Sequence, residues 1–159
     1  MIILGVDPGT ATTGFGIIET SEHDLKLVDY GCISTKANLK LEDRLNQIYE
    51  DLENLIIEFK PELAGIEEIF FTKNIKTAIS VSHARGVIMQ TITKHHIPIL
   101  TFTPTQIKSA ITGYGKADKH QVQTMSKMIL NLDKIPKPDD AADALAIAIC
   151  CANNLNRYE

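Results

Sequence analysis

The first third of the chain has the hydrophobic pattern of β-strands. Ile2–Val6 is a continuous apolar run, as expected for a central strand that is buried on both faces. Thr13–Thr20 follows a turn rich in Gly and Thr, and Lys26–Thr35 is rich in β-branched and aromatic residues. Because the connections between these segments are short, we expect an antiparallel three-stranded meander.

The remainder of the chain alternates between helical and strand patterns. Leu41–Phe59 has apolar residues at helical spacing with acidic residues between them, which predicts an amphipathic helix. We expect one α/β domain over residues 1–159, with a five-stranded mixed central sheet flanked by helices. The further predicted elements are strands at Leu63–Glu67 and Ile97–Phe102, and helices at Ile75–His95 and Thr105–Ile111, from Asp118 through Leu130, and after Pro138.

Four carboxylates stand at the ends of these apolar segments. Asp7 ends the first strand before a Pro-Gly turn, and Glu67 ends the fourth strand. Asp140 and Asp143 lie three residues apart at the start of the apolar segment Ala141–Ala152. An ionised carboxylate among buried elements is costly unless positive charge compensates it, and Lys and Arg are scarce beside these positions. Oxygen ligands suit Mg²⁺ or Mn²⁺ rather than zinc, so we expect a divalent cation.

Each of these acids also has a purely structural interpretation. Asp is common before Pro-Gly turns, and acids in a first helical turn favour the helix dipole. Asp139 is a candidate N-cap of the last helix. Glu68 follows Glu67, and the two-residue period of a strand places them on opposite faces. The pattern does not say which of the two faces the site.

The charge distribution changes what the net charge of −4 suggests. Residues 72–127 contain eight Lys and Arg and one acid, a charge of +7, whereas the rest of the chain carries −11. This asymmetry indicates one face that binds a polyanion such as nucleic acid. Solvated helix faces that are rich in lysine are the alternative interpretation.

The cysteines and the apolar runs bear on the compartment. Cys32, Cys150 and Cys151 are odd in number, which argues against a disulfide framework and favours a reducing compartment. No apolar stretch reaches the roughly 18 residues of a membrane span, and the N-terminus reads as a strand rather than a signal peptide. We therefore expect a cytoplasmic protein that does not interact with membranes.

Three groups of motifs point to one family. They are Gly5-Val6-Asp7-Pro8-Gly9-Thr10 with Thr13-Gly14-Phe15-Gly16, then Ile66-Glu67-Glu68-Ile69-Phe70, then Asp140-Ala141-Ala142-Asp143-Ala144-Leu145-Ala146. In order and spacing, over nearly the whole chain, they resemble crossover junction endodeoxyribonuclease RuvC, the family of bacterial Holliday junction resolvases. The resemblance implies a ribonuclease H-like fold. It also implies symmetrical, Mg²⁺-dependent nicking of two strands in recombination and repair, which leaves 5′-phosphate and 3′-hydroxyl ends.

The resemblance also implies roles for individual residues. It selects Glu67 over Glu68 and Asp140 over Asp139 for a catalytic, metal-binding tetrad with two Mg²⁺ ions, for which Mn²⁺ can substitute. The tetrad would be Asp7, Glu67, Asp140 and Asp143; Lys108 and Lys119 would contact phosphate, and Phe70 would stack on an unpaired base. Exposed helix lysines and a core phenylalanine are the structural alternatives for the last three.

The implied partners are four-way junction DNA, a second copy of the chain, and the RuvA/RuvB branch-migration machinery. A C₂ homodimer suits a two-fold symmetric junction because each active site can cut one strand. From its length and composition, we expect the helix Ile75–His95 to contribute to the dimer interface.

Three other functions compete with this interpretation. A nuclease of the same fold could act on an RNA–DNA hybrid or a transposon end with the same four acids. An actin-like ATPase or sugar kinase would use Gly5–Thr13 as a phosphate loop, but the chain is too short for the second domain of such enzymes. A non-catalytic DNA-binding module would need only the basic middle segment, and four acids without metal would repel its DNA.

Overall fold

The computed structural model describes residues 1–21, 24–69 and 75–155, with the side chains of residues 75 and 76 excepted. The strands and helices alternate as the sequence predicts, and most boundaries agree within two residues. The strands are β1 Ile2–Asp7, β2 Thr12–Thr20, β3 Leu25–Ser34, β4 Leu63–Glu67 and β5 Ile99–Phe102. The helices are α1 Leu41–Phe59, α2 Ile75–Lys94, α3 Pro104–Thr112, α4 Lys119–Ile129 and α5 Asp139–Ala152.

The five strands form one mixed sheet in the order β3-β2-β1-β4-β5. β1, β2 and β3 pair antiparallel, which confirms the predicted meander. β4 pairs parallel with β1, and β5 pairs parallel with β4, after helical crossovers. The central strand β1 therefore points its carboxyl end the same way as β4.

Helices cover both faces of the sheet. On one face, α1 and α2 bury Leu4 and Val6 of β1 together with Ile66 of β4. On the other face, α3, α4 and α5 bury Ile3 of β1 and Leu63 of β4. The two-residue period of a strand accounts for this division, because successive side chains of β1 and β4 point to opposite faces.

Helix α5 lies closer to the sheet than ordinary side chains would allow. A Cβ atom on Gly5 would collide with the backbone of Ala144 and Ala148, and one on Gly14 would collide with the carbonyl group of Asp140. The helix is rich in alanine, and its residues 141, 142 and 144–151 are buried. Small residues on both elements thus let the two backbones approach and fix α5 across β1 and β2.

Capping residues set two of the helix starts. Thr103 and Asp118 each form a capping box, at α3 and α4 respectively, which confirms Asp118 as an N-cap. The candidate N-cap Asp139 is wrong: Pro138 occupies that position without a side-chain hydrogen bond, and Asp139 is the first helical residue of α5. In the described ranges, no helix is long and apolar enough to cross a membrane.

Replacing Gly5 by alanine should therefore destabilise the fold. We expect Gly5→Ala to lower the free energy of unfolding by about 2 kcal/mol or more, since a backbone atom must move to admit the methyl group. The melting temperature should fall by roughly 4–8 °C in calorimetry. Gly86→Ala is the matched control, because a Cβ at Gly86 in α2 meets nothing within 4 Å. It should stabilise the protein by about 0.5–1 kcal/mol, and a loss of stability like that of Gly5→Ala would contradict the packing argument.

Candidate active site

The strand period turns two acids towards α5. In β1, Gly5 lies under α5, so Asp7, two residues further, points to the same face. In β4, Gly65 lies against α5, so Glu67 points to that face as well. Because the two strands are parallel neighbours, both acids stand at the same edge of the sheet. Geometry thus distinguishes Glu67 from Glu68, which the sequence pattern alone left open.

The first turns of α5 bring the other two acids to this edge. Asp140 and Asp143 are three residues apart on one face of the helix, and the contact of Gly14 with Asp140 seats its amino end on β2. The charges of Glu67, Asp143 and Asp140 all act on Asp7. The structure therefore brings together the four acids that the sequence places far apart.

Asp7 is the most perturbed member of this group. Burial, followed by the negative charges of Glu67, Asp143 and Asp140, raises the pKa of Asp7 from 3.8 to about 7, although Lys119 opposes the shift. A carboxylate that is deprived of water and set beside three others holds its own charge at a cost. This is the electrostatic pattern of a site built to bind positive charge.

Glu67 and Asp143 are perturbed in the same direction. Burial and the charge of Asp143 raise the pKa of Glu67, against the opposing charges of Lys108 and Lys119. Burial also raises the pKa of Asp143, although a hydrogen bond from Lys119 opposes it. Three acids at one strand edge thus favour the neutral form more than ordinary carboxyl groups do.

Two lysines from neighbouring helices enter the site. Lys119, the first residue of α4, places Nζ 2.9 Å from Asp143 Oδ2 and 3.6 Å from Asp139 Oδ2. Lys108 of α3 lines a cavity of about 270 Å³ together with Glu67, Lys119 and Asp143. Lys and Arg are scarce next to these acids in the sequence, but two lysines lie close to them in the folded structure.

Two neighbouring acids stand apart from the cluster. Asp139 is half exposed, and the pKa of its carboxyl group is lowered by the hydrogen bond from Lys137, at 2.7 Å, and by Lys119. Glu68 is exposed, and its backbone N–H donates to the carbonyl oxygen of Phe102 at 2.8 Å. The family motifs select Glu67 and Asp140, and both are among the acids whose charges raise the pKa of Asp7. Phe70 lies outside the described residues, and its stacking role stays a prediction.

The donor set fits a hard divalent cation. All four acids offer only oxygen, and Asp7, Glu67 and Asp143 hold their charges at a cost that a cation would relieve. Over residues 1–21, 24–69 and 75–155, no three His, Cys, Asp or Glu side chains already converge as a preformed metal cluster.

Two contacts of the site were not predicted from the sequence. Arg85 Nε of α2 donates to the backbone carbonyl oxygen of Glu67 at 3.3 Å and so ties α2 to the end of β4. The contact of Lys119 with Asp143 joins residues that are 24 positions apart. The signal that could have revealed the face of the acids is the glycine two residues before each, Gly5 before Asp7 and Gly65 before Glu67.

The family model described as crossover junction endodeoxyribonuclease RuvC matches residues 3–151. The protein of that name from Ruminiclostridium cellulolyticum is 51% identical over 154 residues, covering 97% of this chain and 93% of the relative. The one from Alkaliphilus oremlandii is 49% identical over 159 residues, covering 100% of this chain and 97% of the relative.

Solved structures agree with the sequence relatives. The chain superposes on Thermus thermophilus RuvC in complex with Holliday junction substrate with a TM-score of 0.94 and 29% identity. That match covers 99% of this chain and 96% of the other. The expected ribonuclease H-like fold is thereby confirmed. The chain belongs to the crossover junction endodeoxyribonuclease RuvC family.

Proposed function

We propose that Asp7, Glu67, Asp140 and Asp143 form the catalytic centre with which this crossover junction endodeoxyribonuclease cuts Holliday junctions. This proposal rests on the position of four acids at one edge of the sheet, in a chain that is similar over its full length to junction resolvases. The reaction is hydrolysis of one phosphodiester bond in each of two strands, which leaves 5′-phosphate and 3′-hydroxyl ends. We infer that residues 1–159 act as a single nuclease domain, since strands from both halves of the chain share one sheet.

Membership of this family implies dependence on a divalent metal. We propose Mg²⁺, two ions per site, with Mn²⁺ as a substitute, held by the four carboxylates. The chemistry that such ions supply is Lewis acidity, which lowers the pKa of water and stabilises negative charge on the departing 3′-oxygen. The role of the chain is to hold Asp7, Glu67 and Asp143 close together, where a bound cation would favour their ionised forms.

The two lysines would act on the phosphate itself. Lys108 and Lys119 reach the cavity that Glu67 and Asp143 line, so a phosphate there would lie between cationic and acidic walls. Lys119 is bound to Asp143 in the structure and must exchange this partner, in part, for a phosphate oxygen. Both lysines would then offset charge that grows on the phosphate during attack. Phe70 is proposed to stack on an unpaired base at the junction centre.

The two-fold symmetry of the junction favours a homodimer as the active unit. We propose that α2 contributes to the interface, and Ile79 on this helix is 53% exposed, which suits such a contact. The RuvA/RuvB machinery is the expected partner in the cell.

The catalytic assignment can be tested with two adjacent glutamates. We expect Glu67→Gln to lower the nicking rate of a synthetic four-way junction roughly 10³-fold or more, because a ligand and a charge of the site are lost. Glu68→Gln is the matched control and should cut within about threefold of the wild type. Denaturing gels with Mg²⁺ and with EDTA would measure the rates, with duplex DNA and an RNA–DNA hybrid as parallel substrates. Preferential cutting of the hybrid would move the function to another nuclease of this fold, and equal loss in both variants would refute the assignment.

The raised pKa of Asp7 predicts a pH-dependent cost in metal-free protein. Below about pH 4, Asp7 is protonated in the folded and the unfolded chain, and its burial carries no charge penalty. Above about pH 7, the folded state must hold the charge, so stability falls as pH rises between the two values. In EDTA, Asp7→Asn should therefore melt several degrees above the wild type at pH 8, and the gap should close near pH 4.

Metal should reverse this order. Mg²⁺ is expected to raise the melting temperature of the wild type at pH 8 but not that of Asp7→Asn/Asp143→Asn, since the double variant lacks two of the proposed ligands. Asp139→Asn serves as a control outside the cluster, and it should keep the response of the wild type to Mg²⁺. Equal shifts in the wild type and the double variant would count against metal binding at these residues.

The proposed dimer has its own measurement. Sedimentation at micromolar concentration should give a species of twice the mass of the chain, and Ile79→Lys should shift it towards monomer if α2 lies in the interface. Ile57→Lys on α1, where Ile57 is 59% exposed, is the matched control. A wild type that sediments only as monomer would rule out the dimer.

A further inference from the structure

The active site continues along the edge of the sheet as a groove. The cavity at Lys108 and Lys119 adjoins a second cavity, of about 260 Å³, with which it shares Glu67 and Pro104. The second cavity in turn shares Thr77 and Val81 with a third, of about 510 Å³. All four acids line this series, with Asp143 in the first cavity, Asp7 in the second and Asp140 in the third.

The two ends of the groove differ in chemistry. The end at Lys108 and Lys119 holds two lysines beside the acids Glu67 and Asp143. The far end, which we call the hydroxyl end, is lined by Gly9, Thr10, Ala11, Thr12, Thr77, Ser80, Val81 and Asp140. Asp140 is the single charged residue among these lining residues. Apart from Asp140, the hydroxyl end is therefore lined by uncharged residues, and it lies on the other side of the acids from the lysines.

Hydrogen bonds hold the wall of the hydroxyl end in place. Thr10 Oγ1 donates to the carbonyl oxygen of Ser80 at 2.5 Å, and Ser80 Oγ donates to Thr10 Oγ1 at 2.8 Å. Thr35 Oγ1 donates to the carbonyl oxygen of Thr10 at 2.6 Å, and Arg44 Nε donates to Thr35 Oγ1 at 2.8 Å. The turn after Asp7 is thus fastened to α2 on one side and to α1 on the other. Because these contacts lie within the chain itself, the protein alone defines the shape of the groove at this end.

Positions 11 and 12 of the hydroxyl end are accessible to a ligand. Ala11 is exposed, and the Thr12 hydroxyl has no hydrogen-bond partner within the described part of the chain. Threonine hydroxyls and backbone N–H groups are common partners of DNA phosphates. A lysine in place of Thr12 would add positive charge beside Asp140 and offset the negative charge proposed to bind metal, whereas a hydroxyl leaves that charge intact.

We propose that the hydroxyl end holds the cut DNA strand on one side of the scissile phosphate, while Lys108 and Lys119 hold it on the other. This inference rests on the proposed function and adds the path of the strand. The strand then crosses the four acids from the two lysines to a wall that has no cationic residue. The salt dependence of binding in this groove consequently arises from the lysine end.

Charge placed at position 11 tests the path by binding. With Mg²⁺ present and with Glu67→Gln in every variant, so that cutting is slow, Ala11→Lys should tighten binding of a four-way junction and steepen the plot of log K against log salt by about 0.7–0.9, the value for one more neutralised phosphate. Ala11→Glu should weaken binding roughly fivefold at low salt. Asn54→Lys and Asn54→Glu on α1 are the matched controls, because Asn54 is exposed and lines none of the three cavities. Variants at position 11 that behave like those at position 54 would overturn the proposal.

Crosslinking tests the same path by position. A photoreactive benzophenone amino acid at position 11 should crosslink to the cut strand within a few nucleotides of the nick, and on one side of it only. The same group at position 54 should not crosslink there. Crosslinks from position 11 to a second copy of the chain, or to no DNA, would overturn the proposed path. If the wild type still nicks junctions in those cases, the proposed function survives; if Glu67→Gln cuts like the wild type, the proposed function fails instead.

Discussion

The close contact between α5 and the glycine-lined face of the sheet is the constraint on which the site depends. Gly5 and Gly14 let the backbone of α5 approach to a distance that a methyl group would forbid. That contact sets Asp140 and Asp143 over the ends of β1 and β4, where Asp7 and Glu67 already point towards the helix. The four acids lie close together because the backbone of α5 packs tightly against β1 and β2. Burial of the apolar residues of α5 stabilises this packing against the repulsion of the acids.

The tight packing of α5 on the sheet holds acids that repel one another at fixed positions. A globular protein of this size is marginally stable, so a buried cluster of like charges is a substantial burden on the folded state. Lys119 contacts Asp143 and so offsets part of the repulsion among these acids, but the pKa of Asp7 is still about 7. The repulsion that Lys119 leaves uncompensated would favour the cation proposed to bind at this site.

Sequence patterns predict much of this and fail at definable points. Strand ends, the amphipathic α1 and the cap Asp118 follow from local rules, because the pattern that specifies them lies within a few residues. The choice of Glu67 over Glu68 needed either the family motifs or the knowledge that Gly65 lies under α5. The contact of Lys119 with Asp143 and that of Arg85 with the carbonyl group of Glu67 are tertiary, and no local pattern encodes them. The interpretation of Asp139 as a cap failed because Pro138 occupies the N-cap position and the Asp139 side chain contacts Lys137 and Lys119 instead of the helix backbone.

The place of Lys119 at the start of α4 is unusual for a cation. The amino end of a helix carries partial positive charge, so a lysine there works against the dipole, whereas acids are the favoured residues. Asp118 and Asp143, on either side, offset that local disadvantage. A residue that its own helix disfavours indicates a requirement outside that helix. For Lys119, that requirement is the site to which α5 contributes Asp143.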